Sequence, residues 1–285
     1  MKLKIEALLL FILFSCQQDY GQLKHIAKLP GELNEVSGIQ KVNADGLLWA
    51  INDHGNSDHI MGVNEKGKIA REINIKGADN ADWEELTKDN EGNLYIGDFG
   101  NNYNRRKDLA IYKVPNPDSV KGDDVEASKI TFNYPEQKDF PPKKSERFYD
   151  AEAFFYVNGY FYLFTKNHSK NFDGTTLLYK IPATPGNYEA QLISKYKTCD
   201  SPQYCKITAA DINKDGTKVV LLGHDRIWLL TNFDNDNFFS GDVKTIPLNH
   251  SSQKESICFI DDNTVYIADE KNGSSGRNLY SFSLN

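Results

Sequence analysis

The sequence predicts an all-β fold: a single β-propeller of five four-stranded blades closed by the N-terminal strand, with six blades as the alternative. Three observations predict it. Short runs rich in Val, Ile, Leu, Tyr and Phe alternate with Gly, Asn, Asp and Pro turns, and no amphipathic stretch of helical period lasts beyond a turn or two. A strand pair carrying acidic residues recurs from near residues 35, 82, 150, 207 and 255. That spacing, roughly 45 to 65 residues, suits a propeller blade with its loops. Finally, the last repeat has only three strands, and the first strand of the chain has no other partner.

Residues 1–16 read as a targeting segment. Lys2 and Lys4 precede an apolar run, Ala7 to Phe14, too short to span a bilayer. Leu13-Phe14-Ser15-Cys16 resembles a bacterial lipobox, which implies cleavage before Cys16 and lipidation of that thiol. An ordinary secretory signal with an incidental cysteine is the alternative. Lipid on Cys16 would anchor the chain to the membrane without a transmembrane helix. Gln17-Gln18 after the cysteine, by resemblance to sorting signals, favours the outer membrane of the cell envelope. A short linker, 17–22, then leads into one domain, 23–285.

The strands follow in order, a to d from the axis outward. Leu23–Leu29 is expected as the outer strand of the last blade. Blade one is Val36–Val42, Leu47–Asn52, His59–Asn64 and Ile69–Ile75. Blade two is Trp83–Lys88, Leu94–Asp98, Leu109–Val114 and Ser128–Asn133. A long exposed loop, Pro135 to Phe148, follows. Blade three is Ala151–Val157, Tyr160–Thr165, Thr176–Ile181 and Ala190–Tyr196. Blade four is Ile207–Asn213, Lys218–Gly223, Ile227–Thr231 and Val243–Pro247. Blade five is Ser256–Ile260, Thr264–Ala268 and Asn278–Phe282. Without the N-terminal strand its outer edge would leave backbone groups unpaired.

A net charge of −7 and short basic clusters (Arg105-Arg106-Lys107, Lys143-Lys144) argue against nucleic-acid binding. A monomer is expected. Export permits disulfides. Cys199 and Cys205 flank a turn-like segment and are expected to pair, whereas Cys258, between Ile257 and Phe259 on a strand, reads as a buried thiol. No Gly-x-Ser-x-Gly elbow and no phosphate-binding glycine loop occurs.

Acidic residues fall in columns. Aligned on the next apolar residue, Ser37, Glu84, Glu152, Ala210 and Glu255 coincide, and Glu35, Asp82, Asp150 and Thr208 lie two residues earlier, on the same strand face. At the end of strand b stand Asp53, Asp98, Lys166, His224 and Asp269. Carboxylates converging on one axis cannot all ionise cheaply without a counter-charge. A bound cation would supply it, and oxygen ligands suit Ca2+. The candidate metal set is Ser37, Glu84, Glu152 and Glu255. Asp53, His54, Asp98, Asn101, Arg105, Lys166, His224 and Asp269 are the candidate ligand-binding set at the mouth. Two readings without metal stay open: local turn hydrogen bonds, or neutralisation by Lys166.

Asp82-Trp83-Glu84-Glu85-Leu86, Leu94-Tyr95-Ile96-Gly97-Asp98-Phe99-Gly100-Asn101-Asn102, Tyr149-Asp150-Ala151-Glu152-Ala153 and Ile207-Thr208-Ala209-Ala210-Asp211-Ile212-Asn213-Lys214-Asp215-Gly216 resemble a group of secreted bacterial β-propellers. Lys254-Glu255-Ser256 departs from that group's Gly-Glu-Ala. The resemblance implies fold and export, and no reaction. A weaker similarity is to calcium-activated apyrases, five-bladed propellers with a central Ca2+. It implies Ser37, Glu84, Glu152 and Glu255 as the corresponding ring. The sequence thus leads to a lipid-anchored binding or scaffold module. A metal-dependent hydrolase of phosphate esters, nucleotides or glycans is the alternative.

Overall fold

A computed structural model of the chain describes residues 18–285. Cys16 and the targeting segment lie outside the described residues. Five sheets surround one axis. From the axis outward, the first is β2 (Val36–Lys41), β3 (Leu48–Asn52), β4 (His59–Val63) and β5 (Ile69–Lys76). The second is β6 (Trp83–Lys88), β7 (Leu94–Asp98), β8 (Ala110–Val114) and β10 (Ser128–Asn133). The third is β11 (Asp150–Val157), β12 (Tyr160–Lys166), β13 (Thr175–Pro182) and β15 (Gln191–Lys197). The fourth is β16 (Ala209–Ile212), β17 (Lys218–Leu222), β18 (Arg226–Thr231) and β19 (Asp242–Pro247). The fifth is β20 (Lys254–Phe259), β21 (Thr264–Asp269) and β22 (Asn278–Ser283), completed by β1 (Lys24–Lys28). The fold is the expected five-bladed propeller, closed by its N-terminal strand, with Lys24 opposite Ser281 and Lys28 opposite Asn278.

The core is divided among the blade interfaces. Trp49, Ile51, Trp83 and Ile96 pack between blades one and two, and Phe99, Phe132, Phe154 and Phe161 between two and three. Phe155, Phe164, Trp228 and Phe238 seal three against four. Val220, Ile227, Ile257 and Ile267 seal four against five. Leu33, Ile39, Met61 and Leu279 fill the seam between five and one. Each blade therefore presents apolar side chains on both faces, which is why its inner strands read as nearly continuous apolar runs.

Two short strands were not legible in the sequence. β9 (Asp124–Glu126) runs parallel to β5, and β14 (Gly186–Glu189) parallel to β10. Each comes from the following blade and covers the outer edge of the preceding one, where unpaired backbone would otherwise be exposed. They are three and four residues long with exposed side chains interspersed, so they carry no apolar period. The Pro135–Phe148 loop is anchored rather than free. Gln137 is buried, its Nε2 donates to the Asn104 carbonyl (2.9 Å), and Glu136 accepts from the Tyr179 hydroxyl (3.2 Å). Cys199 and Cys205 form a disulfide, and Cys258 is a free, buried thiol.

Candidate functional site

The ladder registers fix which residues are equivalent. In four blades the innermost strand is bulged near its start. Val36 and Gly38 oppose Asn52 and Ile51, Trp83 and Glu85 oppose Asp98 and Gly97, Ala151 and Ala153 oppose Thr165 and Phe164, and Lys254 and Ser256 oppose Asp269 and Ala268. The extra residue is Ser37, Glu84, Glu152 or Glu255. A bulge re-aims one side chain, and here it does so at the same height on each strand. In blade four, Ala209 opposes Leu222 and the Thr208 N–H also bonds the Leu222 carbonyl, so the equivalent residue is Thr208 and not Ala210. The Thr208 hydroxyl is spent on the Lys254 carbonyl (2.7 Å).

The same registers correct the second column. Its members are Asp53, Phe99, Lys166, His224 and Glu270. Asp98 and Asp269 stand one residue earlier, within the ladder. Asp98 takes the Asp82 N–H and Arg106 (3.0 Å each). Asp269 takes Asn278 and the Tyr280 hydroxyl (2.8 Å). Asn101 serves its own loop, accepting from the Arg105 and Arg106 N–H groups. Arg105 is exposed over the Tyr103 ring, and Arg106 is the arginine turned inward. Glu270, absent from the sequence-based set, is buried, and its carboxyl is pushed up to about 9 by burial and then by Glu255 and Asp53. Counting strand pairs, instead of the first acid after an apolar run, would have found it.

These columns meet at one end of the axial passage, the upper mouth. Glu84, Glu152 and Glu255 are all buried there. Lys166 stands among them: its Nζ is 2.7 Å from Glu152 Oε2, and Glu152, Glu255, Asp150 and Glu84 together hold its ammonium well above the usual lysine range. His224 Nε2 meets Glu255 Oε1 at 3.1 Å. Burial, then Glu152, raises the Glu84 carboxyl well above the carboxylate range. Burial raises Glu152 to about 8 against the pull of Lys166. Asp82 reaches about 7 and Asp150 about 6, chiefly through burial. Burial lowers His168 to about 4 and also lowers Lys206. Gly100 has no room for a side chain, since a Cβ would overlap Glu84 Oε1 and Asp82 Cγ.

Among the described residues, two groups of potential metal ligands have one donor atom each within 4.8 Å of one another: Asp53, His54 and Asp82, and Asp150, Glu152 and His168. The first is at the rim, with the His54 side chain 70% exposed and its imidazole raised chiefly by Asp53. In the second, Asp150 and Glu152 are buried and His168 is half-buried. Glu84 and Glu255 belong to neither group. Acidic groups able to hold a metal ion are therefore present at the upper mouth.

Below them Glu85 closes the passage. It is fully buried, taking the Leu86 N–H (2.9 Å) on one oxygen and the Ala210 N–H of blade four (3.2 Å) on the other. Beyond it lies the lower mouth, a cavity of about 930 Å3 lined by turns such as Asp89–Gly92 and Asn213–Gly216. Several of its acids are already engaged. Asp89 accepts from Asn93 and the Tyr95 hydroxyl, Asp211 from the Phe259 N–H (2.8 Å), and Asp261 from the Asn263 N–H (2.8 Å).

Comparison with protein-family models and with curated proteins finds no match. Solved structures do match over most of the chain. The PQQ-bound aldose sugar dehydrogenase of Streptomyces coelicolor is 10% identical with a TM-score of 0.51, covering 92% of this chain and 98% of that one. A protein described as gluconolactonase-like is 12% identical with a TM-score of 0.45, covering 92% of both chains. PorZ, a surface component of the type-IX secretion system of Porphyromonas gingivalis, is 12% identical with a TM-score of 0.40, covering 90% of this chain and 26% of PorZ. These comparisons support neither the secreted-propeller motifs nor the apyrase similarity. At such identities the aldose sugar dehydrogenase match speaks for the fold alone: the chain is similar to β-propeller proteins.

Proposed function

We propose that the chain is an exported, lipid-anchored binding propeller whose upper mouth holds a divalent cation. The observation that carries this is an imbalance of buried charge. Asp82, Glu84, Asp150, Glu152, Glu255 and Glu270 face one another with Lys166 and Lys206 as the lysines among them. The Glu84, Glu152 and Glu270 carboxyls, raised well above the carboxylate range, hold protons near neutral pH, and a cation would replace those protons. Ser37, Glu84, Glu152 and Glu255 alone would be an all-oxygen set suited to Ca2+, but the Lys166 ammonium stands among these carboxyls, so the cation's place is beside the axis. The envelope location rests on residues 1–16 and agrees with a disulfide-bearing domain.

The test is calorimetry and thermal melting with divalent cations and with EDTA. Saturable binding and a lower Tm in EDTA are expected. No binding and an unchanged Tm would remove the cation from this reading. A parallel assay against nucleotides, phosphomonoesters and glycosides is expected to give no turnover. Cation-dependent turnover lost in Glu84→Gln and Glu152→Gln would replace the binding reading with the metal-dependent hydrolase. For the anchor, Cys16→Ser is expected to move the protein from the membrane to the soluble fraction.

A further inference from the structure

The upper mouth has two places for a cation, and the chain fills one of them itself. The ammonium of Lys166 stands where Glu84, Glu152 and Glu255 face one another, so the axial position already has its positive charge. Beside it, blade three gathers Asp150, Glu152 and His168. Asp150 and Glu152 are alternate residues of β11, 0% and 3% exposed, and the bulge at Glu152 turns its carboxylate to the side of Asp150. His168 follows the end of β12, its N–H bonded to the Arg147 carbonyl (3.0 Å).

Each carboxylate has one oxygen engaged and one free. Asp150 Oδ1 accepts the Asn101 N–H, and Glu152 Oε2 meets Lys166. Asp150 Oδ2, Glu152 Oε1 and His168 Nε2 are buried with no well-directed hydrogen bond, and the two carboxyls lie close enough to share a proton that a cation would displace. His168 Nε2 lies only 2.6 Å from Asp150 Oδ2, yet off hydrogen-bonding direction, so the contact satisfies neither atom. Three buried ligand atoms side by side without well-directed hydrogen bonds are costly to a protein that leaves them so. Evolution of a structural cluster would be expected to pair them; a metal site needs them bare.

We propose that Asp150, Glu152 and His168 form an off-axis metal centre that takes a borderline divalent ion, Zn2+ or Mn2+, in preference to Ca2+. This deepens the cation-binding reading and rests on it. The donor set is two carboxylate oxygens and an imidazole nitrogen. Imidazole suits first-row transition ions, whereas Ca2+ calls for six to eight oxygens. Two carboxylates balance a divalent charge, and Lys166 stays on the outer oxygen of Glu152 with Glu84 and Glu255 around it. The Asn101 N–H and Lys166 hold the outer oxygens, as partners behind a metal site do. Three protein ligands leave positions open for water or an oxygen-bearing ligand.

The experiment is calorimetric titration of the EDTA-treated protein with Zn2+, Mn2+ and Ca2+ at pH 7.5, repeated on His168→Gln, Glu152→Gln and Asp261→Asn, each checked for its β-sheet circular dichroism. One site is expected, with Zn2+ and Mn2+ bound about 10-fold or more tightly than Ca2+. His168→Gln should weaken Zn2+ by about 10-fold or more while changing Ca2+ little, and Asp261→Asn at the lower mouth should leave Zn2+ within about threefold. Preference for Ca2+, or Zn2+ binding insensitive to His168→Gln, would overturn the blade-three centre while leaving a cation at the mouth. Absence of binding by all three ions would overturn both. If Glu152→Gln fails to fold, His168→Gln still decides, because its side chain lies outside the strand ladder.

Discussion

The two mouths of the passage carry similar residue types and differ in what those residues lack. The lower mouth has volume, about 930 Å3, and acids that serve the turns they sit in. The upper mouth has buried acids and bare polar atoms: Ser37 Oγ, Asp150 Oδ2, Glu152 Oε1 and His168 Nε2 are all without partners. A cavity shows where something fits. Unsatisfied buried donors and acceptors show where something is missing, and that is the stronger pointer to a site. Glu85 separates the two by spanning from blade two to blade four.

The contrast predicts unequal costs for matched substitutions. Lys166→Met leaves Glu152, Glu84 and Glu255 without their ammonium and should cost about 3–5 kcal/mol in denaturant unfolding of the metal-free protein at pH 8. At the lower mouth, Lys88→Met removes a bond to the Lys41 carbonyl and should cost about 1 kcal/mol. Equal losses would mean that the two ends are electrostatically alike. Glu85→Leu deprives the Leu86 and Ala210 N–H groups of their acceptor and should cost about 2–3 kcal/mol by the same measurement. A loss under about 0.5 kcal/mol would show that the acid does not brace the passage.

Glycines give the next pair. Gly100→Ala must push aside Glu84 and Asp82 and should cost about 1–3 kcal/mol. Gly216→Ala meets nothing closer than 3.9 Å but sits at φ +68°, so about 1 kcal/mol of backbone strain is expected. The last pair of predictions concerns pH. Glu270 titrates at about 9 in the folded chain against an ordinary 4.5, so the folded state binds the extra proton. Its contribution to stability is full below about pH 4.5 and falls as pH rises towards 9. Glu270→Gln should flatten the metal-free pH–stability curve across that window. Asp211, at about 6 against 3.8, acts in the same direction over a narrower window, and Asp211→Asn should flatten only the part below about pH 6.

Strand order and closure were legible because each inner strand is apolar on both faces and each turn carries its own Gly, Asn or Asp signature. The bulged acids were legible too, since Ser37, Glu84, Glu152 and Glu255 precede the same apolar step. Register across a ladder was not. Asp98 and Asp269 look like Asp53 in sequence, yet they pair with Trp83 and Lys254 inside the ladder, at the register where blade one has Asn52, one position short of the mouth. Phe99 and Glu270 hold the equivalent positions. His168 stands in neither sequence-based set, because its partners Asp150 and Glu152 lie on the preceding strand and meet it only after pairing. Arg106 displaced Arg105 for a similar reason: which of two adjacent arginines turns inward depends on the Asn101 loop.

The most direct test is a crystal structure of the protein grown with Mn2+, with anomalous difference density measured at the manganese edge. The account predicts one strong peak bounded by Asp150 Oδ2, Glu152 Oε1 and His168 Nε2, with Lys166 still on Glu152. A peak on the axis with Lys166 displaced, a peak in the lower cavity, or no peak at all would contradict it.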